Sequence, residues 1–177
     1  MGFLKRLFGA SLRVRVTAFQ AGDLLVDLAS RDLPEAFRSL GLPVPEDGGG
    51  SAEIVLGRLY MSTLAVEGVL PPALAFEVLE QMRQSFVHSY RAMQPDLSED
   101  EVSRYYAHRL IEYADTLNEE KQKEGAHPVQ QLGRTFAQNV AGRDIEDFRV
   151  WIAAATQLVS YKELVAETVA KLRVVAK

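Results

Sequence analysis

The sequence predicts an all-α protein: an antiparallel helical bundle of about five main helices, preceded by a more mobile N-terminal arm. Three observations lead there. Beyond residue 50, apolar residues recur every three or four positions, the period of one helix face. Start and stop residues punctuate those stretches at helix-like lengths. A content of 47% hydrophobic and 25% charged residues in 177 suits one ordinary core.

Near the N-terminus, Leu12, Val14, Val16 and Ala18 alternate with Arg13, Arg15 and Thr17, as in a half-buried strand. No second strand pattern is evident as its partner, so residues 11–19 read as a helix or an extended arm. A lone strand would need its copy in another subunit. Asp32-Leu33-Pro34-Glu35 opens a short helix that Gly41 closes after Leu40. Leu42 to Gly50 holds two prolines and three glycines and reads as a linker. It divides residues 1–50, the basic arm with its short helix, from a bundle domain of residues 51–177.

Ser51 is placed to cap a helix over 52–69 that is apolar nearly all round and therefore belongs at the bundle's centre. Pro71 and Pro72 stop it and start the next, in which Ala75, Leu79, Met82, Phe86, Tyr90 and Met93 form a stripe. Ser98 and Glu101 form a capping-box pair ahead of the stripe Val102, Tyr106, Leu110, Tyr113 and Leu117. A shorter helix spans about Pro128 to Val140 and ends at Gly142. Asp144 is placed to cap the longest candidate, with Ile145, Phe148, Trp151, Ala155, Leu158, Tyr161, Val165, Val169 and Leu172 in register, extending toward the terminus with a break near Ser160 as the alternative.

Several functional classes are excluded at once. With no cysteine there is no disulfide, thiolate nucleophile or Cys-ligated metal. The net charge of -4 argues against general nucleic-acid binding, so no nucleic-acid partner is expected. No G-x-S-x-G, S-x-x-K or H-E-x-x-H occurs, and Gly48-Gly49-Gly50-Ser51 lacks the strand and lysine of a phosphate loop. Glu124-x-x-His127 is a single copy in a turn, where a di-iron bundle requires two on continuous helices. No cofactor and no metal are predicted.

Lys5 and Arg6 precede only Leu7 and Phe8 before Gly9, too short for a secretory core, and Arg6 stands where a myristoylation signal needs Ser or Thr. A cytoplasmic protein is expected. Arg58, near the middle of the 52–69 run, together with Glu53 and Glu67, makes that helix a poor membrane span.

Two surfaces remain as candidates. On a helix, Phe3, Leu4, Leu7, Phe8 and Leu12 share one face, with Lys5 and Arg6 away from its centre, which suits contact with a partner or the inner face of a membrane. The first 22 residues carry four basic groups and no acid, whereas residues 96–124 hold nine acids against four bases, so arm and body can attract one another. The second surface is a mixed face holding Tyr105, His108, Arg109 and Glu112, with His88 on the preceding helix. It can pack on the C-terminal helix, receive a partner or line a pocket. The expected function is a non-enzymatic interaction or scaffold protein, self-associating into a homo-oligomer, that uses its arm on a partner or membrane. The alternative is a small-molecule-binding protein or enzyme with a pocket between helices near His108.

Overall fold

Residues 13–45, 50–121 and 127–175 are described by the computed structural model. Their order is β1 (Val14–Thr17), α1 (Ala18–Ala29), α2 (Leu33–Ser39), α3 (Ser51–Val69), α4 (Pro72–Met93), α5 (Glu99–Lys121), α6 (Pro128–Ala141), α7 (Phe148–Ala170) and β2 (Leu172–Val175). The protein is mostly helical, with one short two-stranded sheet among the described residues.

A helix that is apolar on every side can satisfy its side chains only inside other elements. α3 does so. Ile54, Leu56, Leu59 and Val66 are wholly buried, α7 makes its most extensive contact, and α1, α4, α5 and α6 pack on it as well. Its two buried charges are both put to use. The Arg58 guanidinium donates to the carbonyls of Ala29 (2.9 Å) and Arg31 (2.6 Å), satisfying acceptors at the C-terminal end of α1. Burial holds the pKa of Arg58 below the ordinary arginine value, and Tyr161, whose ring it overlies, works in the opposite direction. Among the described residues no helix is long and apolar enough to cross a membrane.

The punctuation read from sequence is mostly realised. Pro72 begins α4, and Gly142, in the left-handed region, follows α6. Ser98 and Glu101 form a reciprocal box, with 2.8 Å from the Ser98 amide to Glu101 Oε2 and 3.3 Å from the Glu101 amide to Ser98 Oγ. Other boundaries move. The cap of α3 is Gly50 rather than Ser51: its φ is 75°, and an added Cβ would lie 2.2 Å from the Val140 carbonyl oxygen. Asp32 precedes α2 with φ 51° and makes no side-chain cap bond. α7 starts at Phe148, with Asp147 as the cap, because Asp144 instead accepts from Gln138 and the Ile145 carbonyl is taken by the Trp151 indole N–H at 2.7 Å. Past Ser160 the helix is unbroken.

The first and last elements of the described residues pair with each other, which corrects the reading of both. Residues 14–17 form a strand whose partner is neither a second subunit nor missing, but the tail Leu172–Val175, paired in parallel with Val14 opposite Leu172 and Val16 opposite Val174. The alternation Leu172-Arg173-Val174 was hidden behind the helix that precedes it. Extended, it buries Leu172 and Val174 beside Val16, while Arg173 stays in solvent. β1 passes directly into α1 through a capping box: Thr17 Oγ1 accepts from the Gln20 amide, and Gln20 Oε1 accepts from the Thr17 amide.

Residues 14–40 therefore belong to the same core as residues 51–175, rather than to a mobile arm. Leu25, Phe37 and Leu40 are buried in that core, and α1 packs closely along α4. Gly22 permits the approach, since an added Cβ would lie 2.7 Å from Gln81 Cβ and 2.8 Å from the Met82 backbone nitrogen. Glu46–Gly49 of the expected linker and Phe3, Leu4, Lys5, Arg6, Leu7, Phe8 and Leu12 of the arm lie outside the described residues.

Candidate functional site

Tyr105, Arg109 and Glu112 lie at i, i+4 and i+7 on α5 and therefore share a face. That face does not rest on the C-terminal helix, as one reading of the sequence had it. It meets the first turn of α3, where Glu53 stands. Glu53 is 7% exposed, and its Oε1 accepts from the Tyr105 hydroxyl at 2.7 Å and from two Arg109 nitrogens at 2.9 and 2.8 Å. Its Oε2 is buried and has no hydrogen-bond partner. Arg109 also pairs with Glu112 at 2.7 Å, and the Asn139 amide of α6 donates to the same Glu112 oxygen at 3.1 Å. Three elements, α3, α5 and α6, thus converge on two carboxylates and one guanidinium.

The electrostatics lock these groups in their roles. Burial, then the hydrogen bond to Glu53, raises the Tyr105 pKa well above that of a free phenol, so its hydroxyl stays a donor. Burial works against the charge of Arg109, but Glu112 and Glu53 outweigh it and hold its pKa above the ordinary arginine value. The Arg109 guanidinium also lies over the Tyr105 ring, 5.8 Å from its centre. Behind Tyr105, a chain of ring contacts through Tyr90, Phe86 and Tyr106 ties α4 to α5 at centroid distances of 5.4 to 5.8 Å.

Glu53, Tyr105 and Arg109 help line a groove of about 1430 Å³ whose walls come from α1, α4, the start of α3 and α5. Asp23 of α1, also in that lining, accepts from Ser85 and, at 3.1 Å, from Gln81, both on α4. Asp27, also in the groove, pairs with Arg31. Asp27 is thus balanced by Arg31 and Glu53 by Arg109, whereas Asp23 is held by the neutral donors Ser85 and Gln81; the lining also includes Phe19, 46% exposed, and Met93, 69% exposed.

The structure brings only part of the expected face together. Tyr105 and Arg109 line the groove, His88 lines it from α4, and Glu112 braces Arg109 from outside. His108 is exposed and does not line the groove, but it shares a second, shallower hollow with Tyr105 and Arg109, joined there by Glu101 and Arg104. Glu53, Asp23 and Ser85 were missed as site residues. Glu53 left a signal, because a carboxylate on a helix apolar all round must be buried and therefore must find donors. Asp23 and Ser85 left none, being an ordinary acid and an ordinary serine until α1 and α4 meet.

Chemically, the groove offers hydrogen-bond acceptors and negative charge beside exposed apolar side chains. Among the described residues no group of three or more His, Asp or Glu is placed to hold a metal ion. Comparison of the chain with protein-family models, curated proteins and solved structures finds no match.

Proposed function

We propose that this is a non-enzymatic interaction protein whose groove receives a basic, amphipathic helical segment. The groove carries this reading. At about 1430 Å³ it exceeds the roughly 300–1,000 Å³ of pockets built for small molecules, and its lining combines the exposed apolar Phe19 and Met93 with the carboxylates of Asp23 and Glu53. An amphipathic helix laid in such a groove buries its apolar face while its lysines or arginines reach Asp23 and Glu53. Asp23 and Glu53 supply the charge selection, and Tyr105 and Arg109 hold Glu53 in place.

The test is fluorescence anisotropy with two labelled model helices of Leu and Lys or of Leu and Glu. The Lys peptide is expected to bind, more weakly as salt rises, and the Glu peptide is not. Asp23→Asn with Glu53→Gln is expected to weaken binding at least tenfold, while Asp115→Asn, which removes one exposed charge outside the groove, leaves it unchanged. Loss of the Asp23 and Glu53 dependence, or no binding at all, overturns the reading.

A second reading follows from Glu53 itself, whose unpaired oxygen at a buried site suits a small organic cation. Benzamidine serves as its probe. A thermal shift with benzamidine that Glu53→Gln abolishes, without peptide binding, assigns the groove to small molecules.

A further inference from the structure

Building on the groove as a receptor for basic amphipathic segments, we propose that its resident occupant is residues 1–12 of the same chain, so that a partner must displace them. Three observations carry this. The first is attachment. Residue 13 leads into β1, and β1 leads without a loop into α1, whose Phe19, Asp23 and Asp27 form one wall of the groove. The second is reach. Twelve residues span about 18 Å as a helix and up to about 40 Å extended, whereas β1 places residue 13 only about 17 Å from the start of α1. The third is complementarity. Residues 1–12 carry Lys5 and Arg6 and no acid, with Phe3, Leu4, Leu7 and Phe8 as their apolar set, and the groove answers with Asp23, whose charge is held only by the neutral donors Ser85 and Gln81, and with the exposed Phe19 and Met93.

Tethering gives such a segment a high effective concentration beside its own groove, so even modest intrinsic affinity keeps the groove filled. Partner segments then compete with the chain's own segment for the groove.

The test compares the full chain with a variant lacking residues 2–12, using a labelled peptide of residues 2–12, the Leu and Lys model helix, and light scattering for mass. The peptide is expected to bind the truncated variant and to bind the full chain at least tenfold more weakly. Asp23→Asn with Glu53→Gln in the truncated variant is expected to reduce peptide binding at least tenfold, and both proteins are expected to have the same number of chains per particle. Equal peptide binding by the two chains, or none by the truncated variant, overturns the proposal. So does a full chain that is dimeric and becomes monomeric on truncation, which assigns the groove to the segment of a second copy. If the model helix binds and the 2–12 peptide does not, the groove remains a receptor and only its resident is wrong. If neither binds, the receptor reading itself fails.

Discussion

Substituting alanine for two glycines in helices gives opposite results if close packing of α1 on α4 is what shapes the groove. Alanine is favoured over glycine inside a helix by about 1 kcal/mol, so with open space around it the change stabilises. Gly68, near the end of α3, has that space, with nothing within 4 Å of an added Cβ. Gly22 has none, because its new methyl would sit 2.7 Å from Gln81 Cβ and 2.8 Å from the Met82 backbone nitrogen. Backbone cannot swing aside as a side-chain tip can. Reaching ordinary contact requires α4 to retreat from α1 by roughly 0.6 Å, enough to forfeit about a quarter of the dispersion energy of the contacts between them. Overpacking of this kind costs about 1–3 kcal/mol. Set against the helix-propensity gain, Gly22→Ala is expected to be destabilised by up to about 2 kcal/mol, a fall of up to about 6 °C in Tm for a chain of this size. Gly68→Ala is expected to gain about 0.5–1 kcal/mol. Urea denaturation of both variants, read by far-UV circular dichroism, checks the pair. Because Asp23 lies one residue from Gly22 and is held by Gln81 and Ser85 across the same contact, peptide binding in the groove is expected to weaken with Gly22→Ala alone. A Gly22→Ala variant as stable as Gly68→Ala would refute the close approach of the two helices.

Three further outcomes are expected. Arg58→Ala removes both donors to the end of α1 and leaves a cavity, costing about 2–4 kcal/mol by urea denaturation, and a loss below about 1 kcal/mol contradicts its capping role. Val174→Ala costs about 1–2 kcal/mol and speeds amide exchange at Val16 and Thr17, whereas Arg173→Ala, on the solvent side of β2, changes stability by less than about 0.5 kcal/mol; equal effects contradict the register. The hydrogen bonds and charge of Arg83 hold the Glu80 carboxyl below its ordinary pKa, so its contribution is present above the unfolded-state pKa and disappears as pH falls through the folded-state value. Glu80→Gln is therefore expected to cost at most about 0.5 kcal/mol at pH 7, because the pair is more than a third exposed, and nothing in acid; a cost independent of pH removes the electrostatic cause.

Periodicity and punctuation alone determined the helical class, the central position of α3, and the starts of α4, α5 and α6, because apolar spacing, proline, glycine and capping pairs act within a few residues of where they stand. They also singled out Tyr105 and Arg109, which share a helix face whatever that face meets. What lies opposite is not a local property. Leu172-Arg173-Val174 becomes a strand only because Val14 and Val16, more than 150 residues earlier, offer their edge. Asp23 and Ser85 become a pair only because Gly22 lets two helices touch. Glu53, which in sequence only argued against a membrane span, becomes the anchor of the groove because α5 delivers Tyr105 and Arg109 to one of its oxygens and leaves the other unpaired. A side chain's donors come from whatever packs against it, and that is decided by the whole core.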